Sequence, residues 1–458
     1  MSNDGTRKAE ILDAAAALFA TSGLRTTLKD IADASGILAG SLYHHFDSKE
    51  AIIIELVRRY QAELDQIAHS ARQELDRPSP RPPLEIVTGL AEAIAACAVR
   101  HRAALLLSFY EPPAGSSDEL VRLAARTPTA VENALLAALR AARERGDIRP
   151  GVDLALLADR FCQSMLHVGI GVTHRGAGAR RAANIKSRIL LDGVAADPPP
   201  GDALDHSPAF LAADQVIESW AEQADPADGP RDREALILAT ARAEFGRRGY
   251  EATTIRNIAA AAGLSIGSVY RVIESKEQLL VSIMASYVAT VTAGWRAVLR
   301  SSASTVEKLD ALMWFNINLM SRFREEFRIQ FAGLRQAPPD SPDLAWTFPT
   351  QLRQVKSLLD EGVRAGALRL EGAGADLRAR CLFSLIWMPQ NIVHSAGPRA
   401  ALELSRQTVL RGAGLLRRRS GGFATGRRKP SRLPSRMCLG RSSTWPTPGC
   451  WRSRVVMR

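Results

Sequence analysis

Residues 26–52 read TTLKDIADASGILAGSLYHHFDSKEAI, and residues 253–279 read TTIRNIAAAAGLSIGSVYRVIESKEQL. The two stretches align without a gap. Each places a threonine, Thr26 or Thr253, where an N-cap belongs, and carries one apolar residue inward, Ile31 or Ile258. Each then breaks at a glycine, Gly36 or Gly263, and resumes at once in a short helix expected near 39–46 or 266–273. A tight glycine turn between two short helices predicts a helix-turn-helix, whose second helix fits a DNA major groove. Asp47-Ser48 and Glu274-Ser275 then cap a fourth helix with Lys49 or Lys276 in its first turn.

The similarity extends upstream. AEILDAAAALFATSGLRTT answers EALILATARAEFGRRGYEATT, with one residue fewer in the first connecting loop. Ile11, Leu12, Ala15, Leu18 and Phe19 form a helical stripe, repeated by Leu236, Ile237, Ala241 and Phe245, and Gly23 and Gly249 stand at C′. Downstream, helical patterning is expected near 48–74, 84–109, 117–125, 128–145, 153–173 and 178–191. GDIRPGVDLALLADRFCQSMLHVGI in the first repeat resembles GALRLEGAGADLRARCLFSLIWMPQNIV in the second. The whole unit is therefore duplicated, and the expected fold class is all-α. The expected division is 5–50 and 232–277 as helix-turn-helix domains, 51–191 and 278–417 as helical ligand-binding and dimerisation domains, 192–231 as a linker, and 418–458 as a basic disordered tail. AFLAADQVIESWAEQ inside the linker has the pattern of one helix packing on a neighbour.

Bulk properties agree with several domains. The chain has 458 residues, 46% of them hydrophobic, enough for more than one core. No run of eighteen apolar residues is present, so no membrane span is expected, and the expected location is cytoplasmic. Five scattered cysteines without a CxxC predict neither a disulfide framework nor a zinc site. The net charge of +12 points to nucleic acid until its distribution is considered. Residues 411–458 hold thirteen Lys/Arg and no acid, which leaves 12 less 13, or −1, for everything before them. A claim of DNA binding must therefore rest on local pattern. The tail itself reads either as a basic arm adding phosphate affinity or as an accidental extension with no core to build.

TTLKDIADASGILAGSLYHHFDSKE resembles the DNA-binding region of the TetR family of bacterial transcriptional regulators. The two-helix motif, the Gly-Ser-Leu-Tyr start of the reading helix and the trailing Ser-Lys-Glu carry the resemblance, and they occur twice. At 3.6 residues per turn, Leu38, Leu42, His45 and Phe46 share the inward face, as do Ser265, Val269, Val272 and Ile273. Ala39, Gly40, Tyr43 and His44, with Ile266, Gly267, Tyr270 and Arg271, face outward. Small residues let the backbone approach a groove; Ala39 or Ile266 suits a thymine methyl, and Ser41, Ser268 and the tyrosines can hydrogen-bond base edges or phosphate. Thr27 and Thr254 offer hydroxyls to phosphate, Lys29 and Arg256 add charge, and Lys49 and Lys276 lie at helix N-termini that favour an anion. The resemblance implies contact with double-stranded operator DNA at these positions. Any one of them alone would be an ordinary solvated side chain.

The resemblance also implies a small effector bound among the middle helices. Candidate contacts are Phe109, Tyr110, Phe161, Met165 and His167 in the first unit, and Trp314, Phe315, Phe331, Trp346, Phe383 and Trp387 in the second. Most aromatic residues at helical spacing are core. Sparse charge around them fits a hydrophobic effector. No cofactor, metal or catalytic residue is expected: His44 and His45 become Arg271 and Val272 in the second copy, and His167 with His174 supplies only two ligands. GxSxG, HExxH, P-loop and dinucleotide glycine motifs are absent from the sequence. The expected function is a ligand-responsive transcriptional repressor with two reading heads. The alternatives are a regulator whose second unit serves only interaction or effector binding and, more remotely, a helical enzyme. The helices near 153–191 and 375–416 can pair within one chain as a pseudo-dimer, or between two chains as a homodimer.

Overall fold

Each repeat opens with the three helices that its caps and glycines predict. The computed structural model describes residues 3–23, 26–108, 112, 115–172, 176–222, 233–250, 252–333, 347–370 and 374–415. In the first repeat α1 (Asn3–Ser22), α2 (Leu28–Ala34) and α3 (Ala39–Leu42) make the head, followed by α4 (Lys49–Leu75), α5 (Pro83–Arg100), α6 (Arg102–Leu107), α7 (Asp118–Ala124), α8 (Thr129–Glu144), α9 (Leu154–Leu166) and α10 (Gly176–Asp192). Between the repeats lie α11 (Gly201–Asp205) and α12 (Pro208–Glu222). The second repeat has α13 (Arg233–Arg248), α14 (Ile255–Ala261), α15 (Ile266–Tyr270), α16 (Lys276–Arg300), α17 (Thr305–Arg322), α18 (Arg324–Gly333), α19 (Phe348–Arg364), α20 (Ala375–Leu385), α21 (Gln390–Ala396) and α22 (Pro398–Ser405). The fold is all-α, and no strand occurs among the described residues. Met1–Leu416 form one compact unit. The expectation of a disordered tail over 418–458 lies outside the described residues.

Four expected details shift. The N-caps of α2 and α14 are Thr27 and Thr254, while Thr26 and Thr253 are buried beneath them. The reading helices are shorter than expected, ending at Leu42 and Tyr270. The helix expected over 84–109 breaks at His101, whose φ of −100° and ψ of 33° separate α5 from α6. The one expected over 153–173 ends at Leu166 and passes into a π-helical turn, Val168–Val172. Gly169 lies within that turn, where a Cβ would sit 2.4 Å from the Ala98 carbonyl oxygen. By length and composition α16 could cross a membrane, with a mean hydropathy of 1.3. Its side chains Leu280, Met284, Tyr287, Val291 and Trp295 are instead buried in the core.

The linker helix forms where its pattern predicts. α12 packs on α16 and α17, stacking Phe210 on Trp314 at 5.5 Å between centroids and setting Trp220 edge-on to Phe315. Below it, Arg406 spans two carboxylates, Asp310 on α17 at 2.8 and 2.9 Å and Asp205 on α11 at 2.7 Å. Two-oxygen pairing of this kind compensates for taking the Arg406 and Asp310 charges out of water.

The two repeats meet at a joint built mostly of backbone. Val194 N–H donates to Val409 O at 2.8 Å, and Ala413 N–H donates to Leu190 O at 2.9 Å. Ala195 N–H to Leu410 O is matched by Gly414 N–H to Leu191 O, and Arg149 N–H to Ala413 O by Arg369 N–H to Val194 O. The bridge Ile148 to Gly414 is matched by Leu368 to Ala195. Each of these backbone contacts thus has its mirror in the other repeat, the reciprocity that defines an isologous two-fold interface. At its centre Gly193 (φ +72°) and Gly412 (φ +77°) lie back to back. Around the joint, α10 packs on α20 and on the π-helical turn Arg406–Leu410, and α21 packs on α9.

Buried cations close this interface asymmetrically. Arg160 on α9, fully buried, donates to Leu385 O at 2.9 Å and to Ser405 Oγ at 3.1 Å across the joint. Lys186, also fully buried, donates to Ser164 O at 2.8 Å, and burial pushes its ammonium down to about 8. A Cβ on Gly412 would lie 2.3 Å from the Asp192 carbonyl carbon and 2.4 Å from Leu191 O, in a backbone conformation that L side chains rarely adopt. Gly412→Ala is therefore expected to cost about 2–4 kcal/mol in urea unfolding. Gly40→Ala, at an open helical position, is expected to change stability by less than about 1 kcal/mol. Equal stability of the two variants would show that the joint tolerates a side chain.

Candidate nucleic-acid interface

A capping box aligns each head. Thr27 Oγ1 accepts the Asp30 N–H at 3.1 Å while Asp30 Oδ2 accepts the Thr27 N–H at 2.8 Å. Thr254 and Asn257 repeat the exchange at 3.2 and 2.9 Å. The threonine backbone and hydroxyl bonds hold the Asp30 carboxyl below its ordinary range; Asn257 does the same work without a titrating group. The glycine turn follows, Gly36 at φ +64° and Gly263 at φ +67°, and turns the chain into the reading helix.

α3 and α15 bury one side chain each, Leu42 and Val269, and a flanking residue, Phe46 or Ile273, fixes the trailing turn. Opposite that anchor, Ala39, Gly40, Ser41, Tyr43 and His44 are exposed in the first head, and Ile266, Gly267, Tyr270 and Arg271 in the second. Tyr43 is 54% exposed and Tyr270 is 55% exposed, far more than a packed tyrosine. Ser268 is half-buried. Arg271 folds over its own helix, donating to Gly267 O at 3.3 Å and to Ser268 Oγ at 3.1 Å.

The expected inward set needs two corrections. Leu38 is 80% exposed, because it is the N-cap of α3 and its backbone is extended there. Its counterpart Ser265 is also exposed, and its hydroxyl caps α15 by accepting the Ser268 N–H at 3.2 Å. A period of 3.6 does not apply to a residue outside the helix. Leu38 therefore joins the outward surface, and a leucine at a cap position was the sequence signal for it, since leucine is a poor N-cap.

The cations divide into two kinds. Lys29 is exposed and paired with Asp33 at 2.6 Å, which raises its pKa, and Arg256 is exposed. Lys49 and Lys276 turn inward instead. Lys49 Nζ donates to Thr26 O at 3.3 Å, and burial lowers its pKa. Lys276 Nζ donates to Tyr250 O at 2.7 Å and to Thr253 O at 2.9 Å, and lies 4.2 Å from the Tyr250 ring centroid. These ammonium groups tie the N-terminus of α4 or α16 to the loop that precedes the capping box.

Each head also grips its own body. Arg102, at the start of α6, donates to Ala20 O at the end of α1 at 2.9 Å and to Gly169 O in the π-helical turn at 3.0 Å. In the second repeat Arg242 on α13 pairs with Glu326 on α18 at 2.9 Å.

The effector candidates scatter. Phe161, Met165 and Phe315 are core, Trp314 is covered by Phe210 and donates to Asp214 Oδ1 at 3.0 Å, and His167 is half-buried. Phe109, Tyr110 and Trp346, with His174, lie outside the described residues, as does the Phe331 side chain. A cavity of about 200 Å³ in the first repeat is lined instead by residues such as Tyr60, Leu64, Leu105, Arg126, Gln163 and Leu166. Arg126 at its rim is held by both Asp65 oxygens at 2.7 and 2.8 Å. In the second repeat Phe383 and Trp387 do come together, with Phe327 and Phe348 around Trp387. Among the described residues, Trp387 Nε1 makes no hydrogen bond, nor does either end of the buried Gln351 amide on α19, the helix that carries Phe348. Orphaned polar atoms in an aromatic cluster are uncommon in a finished core.

Residues 11–56 and 237–283 each match the family model of the bacterial regulatory proteins, tetR family. The chain is 42% identical over 118 residues to the HTH-type transcriptional repressor KstR2 of Mycolicibacterium smegmatis, covering 26% of this chain and 55% of that protein. It is 64% identical over 55 residues to the KstR2 repressor of Rhodococcus jostii, covering 12% and 27%. A solved structure, the ketosteroid transcriptional regulator KstR2 of Mycobacterium tuberculosis, is 30% identical over 40% of this chain and 91% of its own, with a TM-score of 0.31. The chain spans about half or less of the length of the curated relatives it matches. Two all-α repeats, each led by a capped helix-turn-helix, place it among bacterial helix-turn-helix regulatory proteins. It belongs to the TetR family and carries that family's N-terminal domain twice.

Replacing Lys276 with Met removes two hydrogen bonds to carbonyls and a cation–ring contact, and is expected to cost about 1–3 kcal/mol of stability. Lys49→Met, which removes the bond to Thr26 O, is expected to lower stability as well. Urea unfolding checks both. Unchanged stability combined with weakened DNA binding would instead assign these ammonium groups to phosphate.

Proposed function

We propose that the chain is a ligand-responsive transcriptional repressor of the cytoplasm that binds one operator as a single-chain pseudo-dimer. The reciprocal backbone joint carries this reading. Two helix-turn-helix heads on a two-fold frame are the arrangement by which a dimer meets two half-sites of duplex DNA. Here both heads and the frame belong to one polypeptide, with the domain division expected from sequence.

The heads present unlike surfaces, Leu38, Ala39, Tyr43 and His44 against Ser265, Ile266, Tyr270 and Arg271, so the two half-sites differ in sequence. Leu38 and Ile266 supply apolar surface for thymine methyl groups, and the tyrosines, Thr27, Thr254, Lys29 and Arg256 supply contacts to phosphate and base edges. The inward-turned Lys49 and Lys276 act by holding the heads in shape.

The effector reading rests on two different places. The cavity beside α4 in the first repeat and the aromatic cluster around Trp387 in the second suit an apolar molecule with few polar groups, which would satisfy Trp387 Nε1 and Gln351. A ligand there shifts α4 or α16, the helix that leaves each head, and by linkage it loosens DNA as much as DNA weakens the ligand.

Tyr43→Ala and Tyr270→Ala, measured on a fragment from upstream of the protein's own gene, are each expected to weaken binding about 5- to 30-fold, the equivalent of about 1–2 kcal/mol. Loss confined to Tyr43→Ala would make the second head an interaction module. Loss from neither would remove the reading helices from recognition.

A further inference from the structure

A group of three unlike donors lies outside the surfaces described above. Glu63 on α4, Cys97 on α5 and His101 at the α5–α6 break bring one carboxylate oxygen, one thiol sulfur and one imidazole nitrogen all within 4.8 Å of one another. Cys97 and His101 are a helical i, i+4 pair and so share one face. His101 Nε2 lies 2.8 Å from Glu63 Oε2, while Arg100 holds the other oxygen, Oε1. The Cys97 thiol is fully buried, whereas Glu63 and His101 keep side-chain exposures of 26% and 16% and leave an approach from solvent.

We propose that Glu63, Cys97 and His101 form a binding site for one zinc-class divalent cation. Tetrahedral ligands at 2.0–2.3 Å from such an ion are about 3.5 Å apart, so the side chains need to close by only about 1 Å. Binding releases the Cys97 thiol proton to solvent, moves the His101 ring proton from Nε2 to Nδ1, turns Glu63 Oε2 and the freed Nε2 from each other to the metal, and leaves Oε1 on Arg100. Thiolate and carboxylate together balance the two positive charges, and a fourth position stays open to water. Burial pushes the free thiol's pKa up, and a coordinated cation reverses that cost.

The second repeat is a built-in control. α17 matches α5 in length and position, and puts Leu319 and Phe323 where α5 has Cys97 and His101; α16 puts Thr290 where α4 has Glu63. Phe323 packs on Tyr287 at 5.9 Å between centroids, much as His101 lies 6.1 Å from Tyr60. Packing at this position thus needs only an aromatic ring, and the imidazole, thiol and carboxylate are particular to the first repeat. His101 also adjoins Arg102, the residue joining the first head to the π-helical turn. Occupancy of the site therefore bears on that head alone. This consequence rests on the proposed DNA reading, but the metal site does not.

Titrating the full chain with Co²⁺ tests it without DNA. The expected result is a thiolate-to-cobalt charge-transfer band that saturates at one ion per chain and is displaced by Zn²⁺. It persists in the double variant Cys438→Ser/Cys450→Ser and disappears in Cys97→Ser and in His101→Phe. His101→Phe keeps the ring that the second repeat uses, and circular dichroism confirms that each variant is folded. If Cys97→Ser does not fold, Glu63→Gln takes its place, with loss of the band again expected. Absence of the band in the unaltered chain, or its survival in folded His101→Phe, would overturn the proposal.

Discussion

Everything else in the molecule hangs from the contact between Gly193 and Gly412. Each has a positive φ, and each lies where a Cβ would strike the other's neighbouring backbone. Without side chains at these two points, the ends of α10 and of the Arg406–Leu410 turn approach closely enough to exchange four hydrogen bonds, Val194 and Ala195 donating one way, Ala413 and Gly414 the other. Backbone donors in an interior are costly to leave unpaired, so the register of this joint is fixed and a slip of one residue would orphan them. The register in turn sets where both bodies lie. Each body holds its head by a specific link, Arg102 to Ala20 in one and Arg242 to Glu326 in the other.

Duplication on such a frame relaxes a constraint that binds ordinary homodimers. In a homodimer one substitution appears at both ends of the two-fold; in a single chain each half changes alone. The differences follow this freedom. Arg160 crosses the joint fully buried, while the second repeat has Arg380 near the equivalent place, paired with Asp376 at the surface. Asp30 and Asn257 close equivalent capping boxes with and without a charge. The first repeat keeps a cavity and a Glu, Cys, His group, and the second fills the corresponding region with aromatic rings.

The heads were legible in the sequence because their determinants are local. Caps, positive-φ glycines and a short apolar stripe act within a few residues of one another, and the repeat displays them twice. The local rules fail at the edges of the elements: the cap is Thr27 and not Thr26, Leu38 lies outside the helical period, and the reading helices end four and three residues before the expected 46 and 273. The joint was visible only as a pairing of segments, since Gly193 and Gly412 are ordinary helix-end glycines until they meet. Sites assembled from distant elements were the least legible. Hydropathy marks Phe161 and Phe315 as apolar without distinguishing core from pocket, and Cys97 and His101 reveal a spacing but not that Glu63 completes it. Lys49 and Lys276 sat at the right helix ends, yet only the fold shows their ammonium groups turned to carbonyls.

One chain supplying both halves of the two-fold frame sets the mass of the particle. Light scattering coupled to size exclusion, on the free protein and on its complex with operator DNA, measures this directly. The expected result is the mass of a single chain when free and one chain per duplex when bound. A mass of two chains in both states would contradict it, placing the frame between polypeptides and giving the assembly four reading heads.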